Sequence, residues 1–290
     1  MDVQVYDDPR QFRAAYGDLY SADPVRHTLA LTVIRRFVED DNNLDGDRPV
    51  PVMLTAHHDG RLHGVALRTP PWPLIVSGLP ADAAPAAAAR LHQVDPDLPG
   101  VNGPRELSEA FAAAWAAHTG AATREVMAGR LYGLGDLRPP GVPGRARLAT
   151  EADLPLLVEW RRAFLREAVG HEHPHDFERQ LRRYLEIGDA LVLWEHDDRT
   201  VSWAGASAPV AGMSRIGPVY TPHDQRGHGY GSAVTAAASR WALDAGAEHV
   251  LLFTDLANPT SNSIYQKIGY RPVSDIAEIA FTAPFRLGGA

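Results

Sequence analysis

Helical and strand-like hydrophobic spacings alternate along the chain, and their order repeats. Residues 10 to 38 carry a helical period, with Phe12, Ala15, Tyr16 and Leu19 on one face and then Leu29, Val33, Ile34 and Phe37. Asp40 to Pro49 is acidic, polar and glycine-containing, which predicts a loop. Val50 to Ala56 and Leu62 to Leu67 read as strands flanking His57-His58-Asp59-Gly60-Arg61. An Asp-Gly between two such runs predicts a hairpin, because a tight turn there needs residues that tolerate positive φ. Leu74 to Ser77 predicts a further strand and the alanine-rich Ala81 to Leu91 a helix. Leu107 to His118 predicts another helix, with Ser108 near its start and Gly120 past its end, and Val126 to Tyr132 a strand.

Arg138-Pro139-Pro140-Gly141-Val142-Pro143-Gly144 can continue neither a helix nor a central strand and reads as a linker. Beyond it the order begins again. Asp153 to Val169 predicts a helix with Leu156, Leu157, Trp160 and Phe164 on one side, and Thr150 with Asp153 resembles a capping box. Phe177 to Ile187 predicts a second helix. Ala190 to Glu195 and Thr200 to Ala206 flank Asp197-Asp198-Arg199, again a hairpin. A period of roughly 140 residues marks a duplicated domain rather than a solenoid repeat. Two domains are expected, 1–138 and 145–290, joined by a linker at 139–144.

Composition narrows the function classes. A formal net charge of −8 argues against nucleic acid or an anionic membrane as the main partner. No apolar run approaches the roughly 20 residues of a membrane span, and the N-terminus lacks the pattern of a signal peptide, so a cytoplasmic protein is expected. With no cysteine in the sequence, disulfides, thiolate metal sites and a cysteine nucleophile are excluded.

The chemistry concentrates at Gln225-Arg226-Gly227-His228-Gly229-Tyr230-Gly231-Ser232. The β-branched and aromatic segment Ile216 to Pro222 precedes it as a strand, and Ala233 to Ala245, free of internal glycine and proline, follows as a helix. Glycines let backbone amides approach a ligand, and a helix's first turn offers unpaired N–H groups backed by its dipole. This is an anion cradle suited to a pyrophosphate. It lacks the Gly-Lys-Ser/Thr of a P-loop, and Pro222 interrupts the feed into a Rossmann-type turn. At the matching place the first half has Ser77-Gly78-Leu79-Pro80-Ala81-Asp82, with fewer glycines and an acidic side chain, so it is expected to bind no cofactor.

Three elements in the second half resemble the GCN5-related N-acetyltransferase (GNAT) superfamily. Arg226-Gly227-His228-Gly229-Tyr230-Gly231 is similar to its Arg-x-x-Gly-x-Gly/Ala loop, with Gln225 before it; Asn258 to Tyr265 to its Asn, small-residue and Tyr spacing; and Lys267-Ile268-Gly269-Tyr270 to its Lys-x-Gly-Phe/Tyr ending. The resemblance covers about residues 145 to 282, and the first half only through its order of elements. It implies an α/β (α+β) fold of two tandem GNAT-like domains, each a mixed, mostly antiparallel sheet flanked by helices, the first one degenerate. It also implies acetyl-CoA as co-substrate, a small-molecule or peptide amine as acceptor, no metal, and a monomer or homodimer.

Residue by residue, the resemblance implies that Val219, Tyr220 and Thr221 pair with the pantetheine arm, with the N–H of Val219 or Tyr220 polarising the thioester carbonyl. Gln225, Arg226, Gly227, Gly229, Tyr230, Gly231 and Ser232 form the pyrophosphate loop, and Asn258 and Asn262 position the pantetheine or acceptor. Tyr265 is the candidate general acid for the departing thiolate; its alternative is a core aromatic beside Ile264 and Ile268. For the general base two carboxylates stay open, Glu167 and Asp255, each acting directly or through a water. His171, His173 and His175 alternate as metal ligands would, but Gly170 and Pro174 favour a loop. Two other functions remain: a catalytically inactive protein that binds coenzyme A, and a tandem enzyme of thiol biosynthesis similar to mycothiol synthase.

Overall fold

A computed structural model gives the structure of residues 1–38, 50–169 and 176–282. The loop expected at 40–49 and the histidines 171, 173 and 175 lie outside the described residues. Two compact units result. The first comprises Met1–Leu131, Asp255–Ala257 and residues 274–282; the second comprises Tyr132–Thr254 and Asn258–Val273.

In the first unit the chain runs β1 (Asp2–Tyr6), α1 (Pro9–Tyr16), α2 (Leu19–Ala22), α3 (Thr28–Val33), a π-helical turn at Ile34–Val38, β2 (Val52–His58), β3 (Arg61–Arg68) and β4 (Leu74–Ile75). It continues with a 3₁₀ turn at Ala81–Ala83, α4 (Ala84–Val94), β5 (Gly100–Pro104), α5 (Arg105–Thr119) and β6 (Ala122–Leu134), the last of which ends in the second unit. The second unit's chain runs β7 (Arg145–Leu148), α6 (Leu154–Val169), α7 (Phe177–Glu186), β8 (Ala190–His196), β9 (Arg199–Ala206), β10 (Met213–Tyr220), α8 (Tyr230–Asp244), β11 (His249–Asp255), α9 (Pro259–Lys267) and β12 (Tyr270–Thr282), the last of which passes into the first unit after Val273. The order of elements repeats. In each unit a mixed, mostly antiparallel sheet is flanked by helices: β1-β2-β3-β4-β5 with residues 276–280 of β12 beside β5 in the first, and β7-β8-β9-β10-β11 in the second.

Turn and cap chemistry explains the element ends. Both hairpins turn through residues at positive φ, Asp59 (51°) and Gly60 (74°) in one, Asp197 (49°) and Asp198 (56°) in the other; such turns match the right-handed twist of the strands they join. Gly120 takes the left-handed conformation that ends α5, with its N–H on the Ala116 carbonyl. The expected capping box is present: Asp153 Oδ2 accepts from the Thr150 N–H at 2.8 Å and from its hydroxyl at 3.1 Å. Two strands carry no strong sequence signal. β1 is only five residues long, β7 lies just past the prolines of the linker, and each is an edge strand, paired with β2 and β8 respectively.

Each unit has its own apolar core. The first is built around Leu54, Val76, Leu91, Phe111 and Trp115, with Ala277 and Ile279 contributed by β12. The second packs Val234, Ala238 and Ala242 of α8 against Val192, Ala204, Ile216, Val250 and Leu252. The small side chains on α8 bring the helix close to the sheet, which fixes where its N-terminus stands relative to β10.

Candidate functional site

The second unit's site begins where two parallel strands stop pairing. β10 and β11 are in register from Met213 opposite His249 to Ile216 opposite Leu252. β10 then bulges at Gly217 and Pro218 and keeps only β9, which it pairs on its other side from Ile216 opposite Ala206 to Val219 opposite Ala204 and Tyr220 opposite Trp203. From Gly217 on, the β11 side of β10 is therefore an unpaired strand edge among the described residues, the kind of edge an amide-bearing chain can join. Ser202 stabilises the end of this strand: its hydroxyl donates to the Tyr220 carbonyl at 2.9 Å and lies 2.9 Å from Thr221 Oγ1.

Next comes the glycine loop. Pro222 leads into a 3₁₀ turn at His223–Gln225, Arg226 is extended, and Gly227 and Gly229 both sit at φ +83°. Residues with a Cβ resist that conformation, so the glycines are required by the path of the chain. Gly229 is the N-cap of α8, which begins at Tyr230, three residues earlier than the alanine run implies, and no side chain caps it. The amides of Tyr230, Gly231 and Ser232 are those that an α-helix leaves without an internal partner. Crowding adds a second requirement. A Cβ on Gly229 would come within 2.9 Å of Val142 in the Pro/Gly segment, and one on Gly231 within 3.3 Å of Thr221 Oγ1. Uncapped amides, positive-φ glycines and a helix dipole fit a pyrophosphate. The Tyr230 side chain is buried between His196 and His228, at ring distances of 5.7 and 5.5 Å, so only its backbone is available.

Helix α6 brings Glu167 to the same place. Glu167 Oε2 is 2.6 Å from Arg226 Nη2, and its other oxygen receives a long contact, 3.4 Å, from the Tyr220 hydroxyl. The Arg226 guanidinium also donates to the Thr221 carbonyl at 3.0 Å and lies 6.0 Å from the Tyr220 ring centre. The Trp160 ring lies 6.0 Å from the Tyr220 ring, centre to centre. Burial first, and then the Glu167 carboxylate, raise the Tyr220 phenol above its ordinary pKa. Nothing in the sequence pairs residue 167 with 226, 59 positions apart. Trp160 is buried, as its place on the apolar side of α6 predicts, and so is Trp203.

Tyr265 lies on α9, half-buried against the second core, with its ring 6.2 Å from Tyr270. Burial pushes its phenol up to about 12, against a lowering hydrogen bond from Ser261. The two asparagines have structural work. Asn258 Oδ1 caps α9 by accepting from the Ser261 N–H at 3.0 Å. Asn262 donates its amide to the Asn258 carbonyl at 2.8 Å and accepts from the buried Tyr132 hydroxyl at 3.0 Å. Asp255 closes a turn with the Ala257 N–H at 2.8 Å and belongs to the first compact unit. The Gln225 side chain donates to its neighbour Asp224. Among the described residues no group of three histidine or acidic side chains is placed to hold a metal ion.

In the first unit the matching segment is closed. Val65 N–H reaches the Gly78 carbonyl at 2.8 Å, and a Cβ on Gly78 would meet Val65 at 2.7 Å and Tyr20 at 3.0 Å. His27 Nδ1 lies 3.1 Å from Ser77 Oγ, and Tyr20, His27 and Ser77 are all buried. Pro85 stands in the first turn of α4 and removes one donor.

Comparison with known proteins agrees with this geometry. The profile of the Acetyltransferase (GNAT) family matches residues 154–270. The uncharacterized N-acetyltransferase YobR of Bacillus subtilis (strain 168) is 28% identical over 80 residues, which are 28% of this chain and 32% of that protein, so the match spans about a third of the relative's length. A GCN5-related N-acetyltransferase from Kribbella flavida superposes with a TM-score of 0.56 at 20% identity, over 79% of this chain and 89% of that one. A tandem GNAT protein from the clavulanic acid biosynthesis pathway superposes over 100% of both chains, with a TM-score of 0.58 and 12% identity. Those two likenesses are of fold. The family profile thus matches the stretch, residues 154–270, that holds the glycine loop and α9.

Proposed function

We propose that the second unit is an acetyl-CoA-dependent N-acetyltransferase acting on a primary amine. The observation that carries this reading is the fork at Ile216: β10 leaves β11 and runs directly into a loop with two positive-φ glycines and an uncapped helix N-terminus. A strand edge for an amide-rich arm and a cradle for a pyrophosphate thus adjoin along one stretch of chain, 217–232.

Acetyl-CoA, when bound, supplies an activated acetyl group as a thioester. The chain's own residues do the rest. Gly227, Gly229 and the amides of Tyr230, Gly231 and Ser232, with Arg226, hold the pyrophosphate; Val219, Tyr220 and Thr221 align the arm, and the Val219 or Tyr220 N–H faces the carbonyl oxygen. The amine nitrogen bonds to the acetyl carbon as the carbon–sulfur bond breaks. Tyr265 gives a proton to the sulfur, and the proton lost by the amine goes to Glu167, directly or through water. A phenol raised to about 12 stays protonated at neutral pH, as a donor must. Asn258 and Asn262 act by fixing the start of the helix that carries Tyr265. We infer that the first unit, its matching segment closed by Tyr20, His27 and Ser77, binds no cofactor.

The test is thiol release from acetyl-CoA in the presence of a panel of primary amines. Amine-dependent release is expected; tight coenzyme A binding with no turnover on any amine would leave a binding protein instead.

A further inference from the structure

We propose that Arg226 and Glu167 form a latch, which a pyrophosphate opens and a cationic acceptor then uses. The proposal rests on the reading of this site as one for coenzyme A and an amine. Arg226 belongs to the loop by position, between the Thr221 carbonyl and Gly227, yet its guanidinium is turned to α6 and engaged by Glu167 at 2.6 Å. A side chain so placed in an anion-binding loop has two competing anionic partners, the Glu167 carboxylate and a pyrophosphate.

The surroundings of that guanidinium are those of a cation site. Glu167 supplies a carboxylate, the Tyr220 hydroxyl a second polar contact to it at 3.4 Å, and the Tyr220 ring an aromatic surface at 6.0 Å, with Trp160 packed beside Tyr220. A protonated amine carries the same charge and answers the same groups, so Arg226 stands in for it. The two cations cannot both occupy one carboxylate and one ring.

Exchange is permitted by the exposure of the pair. The Arg226 and Glu167 side chains are 44% and 49% exposed, and ion pairs of that kind contribute little and re-form easily. A pyrophosphate seated on the amides of 227–232 offers a guanidinium a doubly charged, bidentate partner, which is the stronger contact. Loading the loop thereby withdraws Arg226 and leaves Glu167 and Tyr220 to the acceptor.

A double-mutant cycle tests the latch by calorimetric titration of coenzyme A into the full-length protein, Glu167→Gln, Arg226→Ala and the double variant, each checked for an unchanged melting temperature. Glu167→Gln is expected to tighten coenzyme A by about two- to fivefold, the worth of an exposed ion pair. Arg226→Ala is expected to weaken it, and Glu167→Gln to have no effect once Arg226 is gone. No tightening in the Glu167→Gln protein, or equal tightening in both backgrounds, would overturn the latch, the second result showing only the field of a nearby carboxylate. A wild-type protein that binds no coenzyme A would overturn the underlying reading, and the latch with it. Benzylamine, followed by the same method, is expected to bind the wild-type protein only with coenzyme A present; equal binding without it, or none with it, would overturn the acceptor half.

Discussion

Two segments at the same point of a repeated order of elements have opposite designs. After β10 the chain passes through Gly227 and Gly229 at φ +83° into a helix that no side chain caps. After β4 it passes through Ser77 to Asp82, where Gly78 is wedged against Val65 and Tyr20, and His27 and Ser77 are buried together. The first arrangement leaves amide donors for an external anion. The second spends its polar groups internally and adds Asp82 and Pro85 where an anion site wants neither a negative charge nor a missing donor. Shared topology thus permits a site without supplying one; the loop residues and the neighbours they leave room for decide.

The sharpest break of this comparison is chemical. Replacing Tyr265→Phe removes the donor from the second unit alone and is expected to lower kcat by about a hundredfold with little change in coenzyme A affinity, as loss of a general acid does. Steady-state kinetics checks it, and unchanged turnover would return Tyr265 to the core.

The glycines come next. Gly229→Ala puts a Cβ at positive φ and against Val142, and is expected to weaken coenzyme A by about tenfold. Its counterpart in the first unit behaves differently. Gly78→Ala meets Val65 and Tyr20, and is expected to cost about 2 kcal/mol of stability while leaving the coenzyme A dissociation constant unchanged. Thermal unfolding and titration on the same samples separate the two effects.

The smallest effect is a difference in acid sensitivity. Burial, with Arg26 adding to it and Asp23 opposing, lowers His27 from 6.5 to about 4. Its folded form prefers neutrality, so the stability it contributes is present above pH 6.5 and is lost as pH falls toward 4. The loss is about 1 kcal/mol by pH 6 and grows below it. In the second unit Asp153, held at about 2 by Arg147, contributes stability that persists until pH falls below its ordinary value of 3.8. Hydrogen exchange at pH 5 is therefore expected to show first-unit amides opening sooner than those of α6 and β8. Equal protection in the two units would contradict this.

What the sequence disclosed follows from how local each signal is. The hairpins, the Thr150–Asp153 capping box and the Gly227 and Gly229 loop were legible because a few adjacent residues determine each of them. Strands β1 and β7 were not, since Asp2 to Tyr6 and Arg145 to Leu148 span only five and four residues, too few for an alternation to stand out. The assignment of residues 274–282 to the first unit depends on pairing with β5, such as Ala277 opposite Gly103, which no local pattern encodes. Long-range contacts were equally silent. Val142 against Gly229, Tyr132 on Asn262 and Glu167 on Arg226 join residues far apart in sequence, and they show the asparagines and the candidate base already engaged by protein partners.

The central claim is that one segment, 217–232, and not its counterpart, receives the coenzyme. Calorimetric titration of coenzyme A into the wild-type protein and Gly229→Ala measures it directly. The account predicts one equivalent bound per chain, with affinity falling about tenfold in the variant. Two equivalents per chain, or one bound with undiminished affinity by Gly229→Ala, would contradict it.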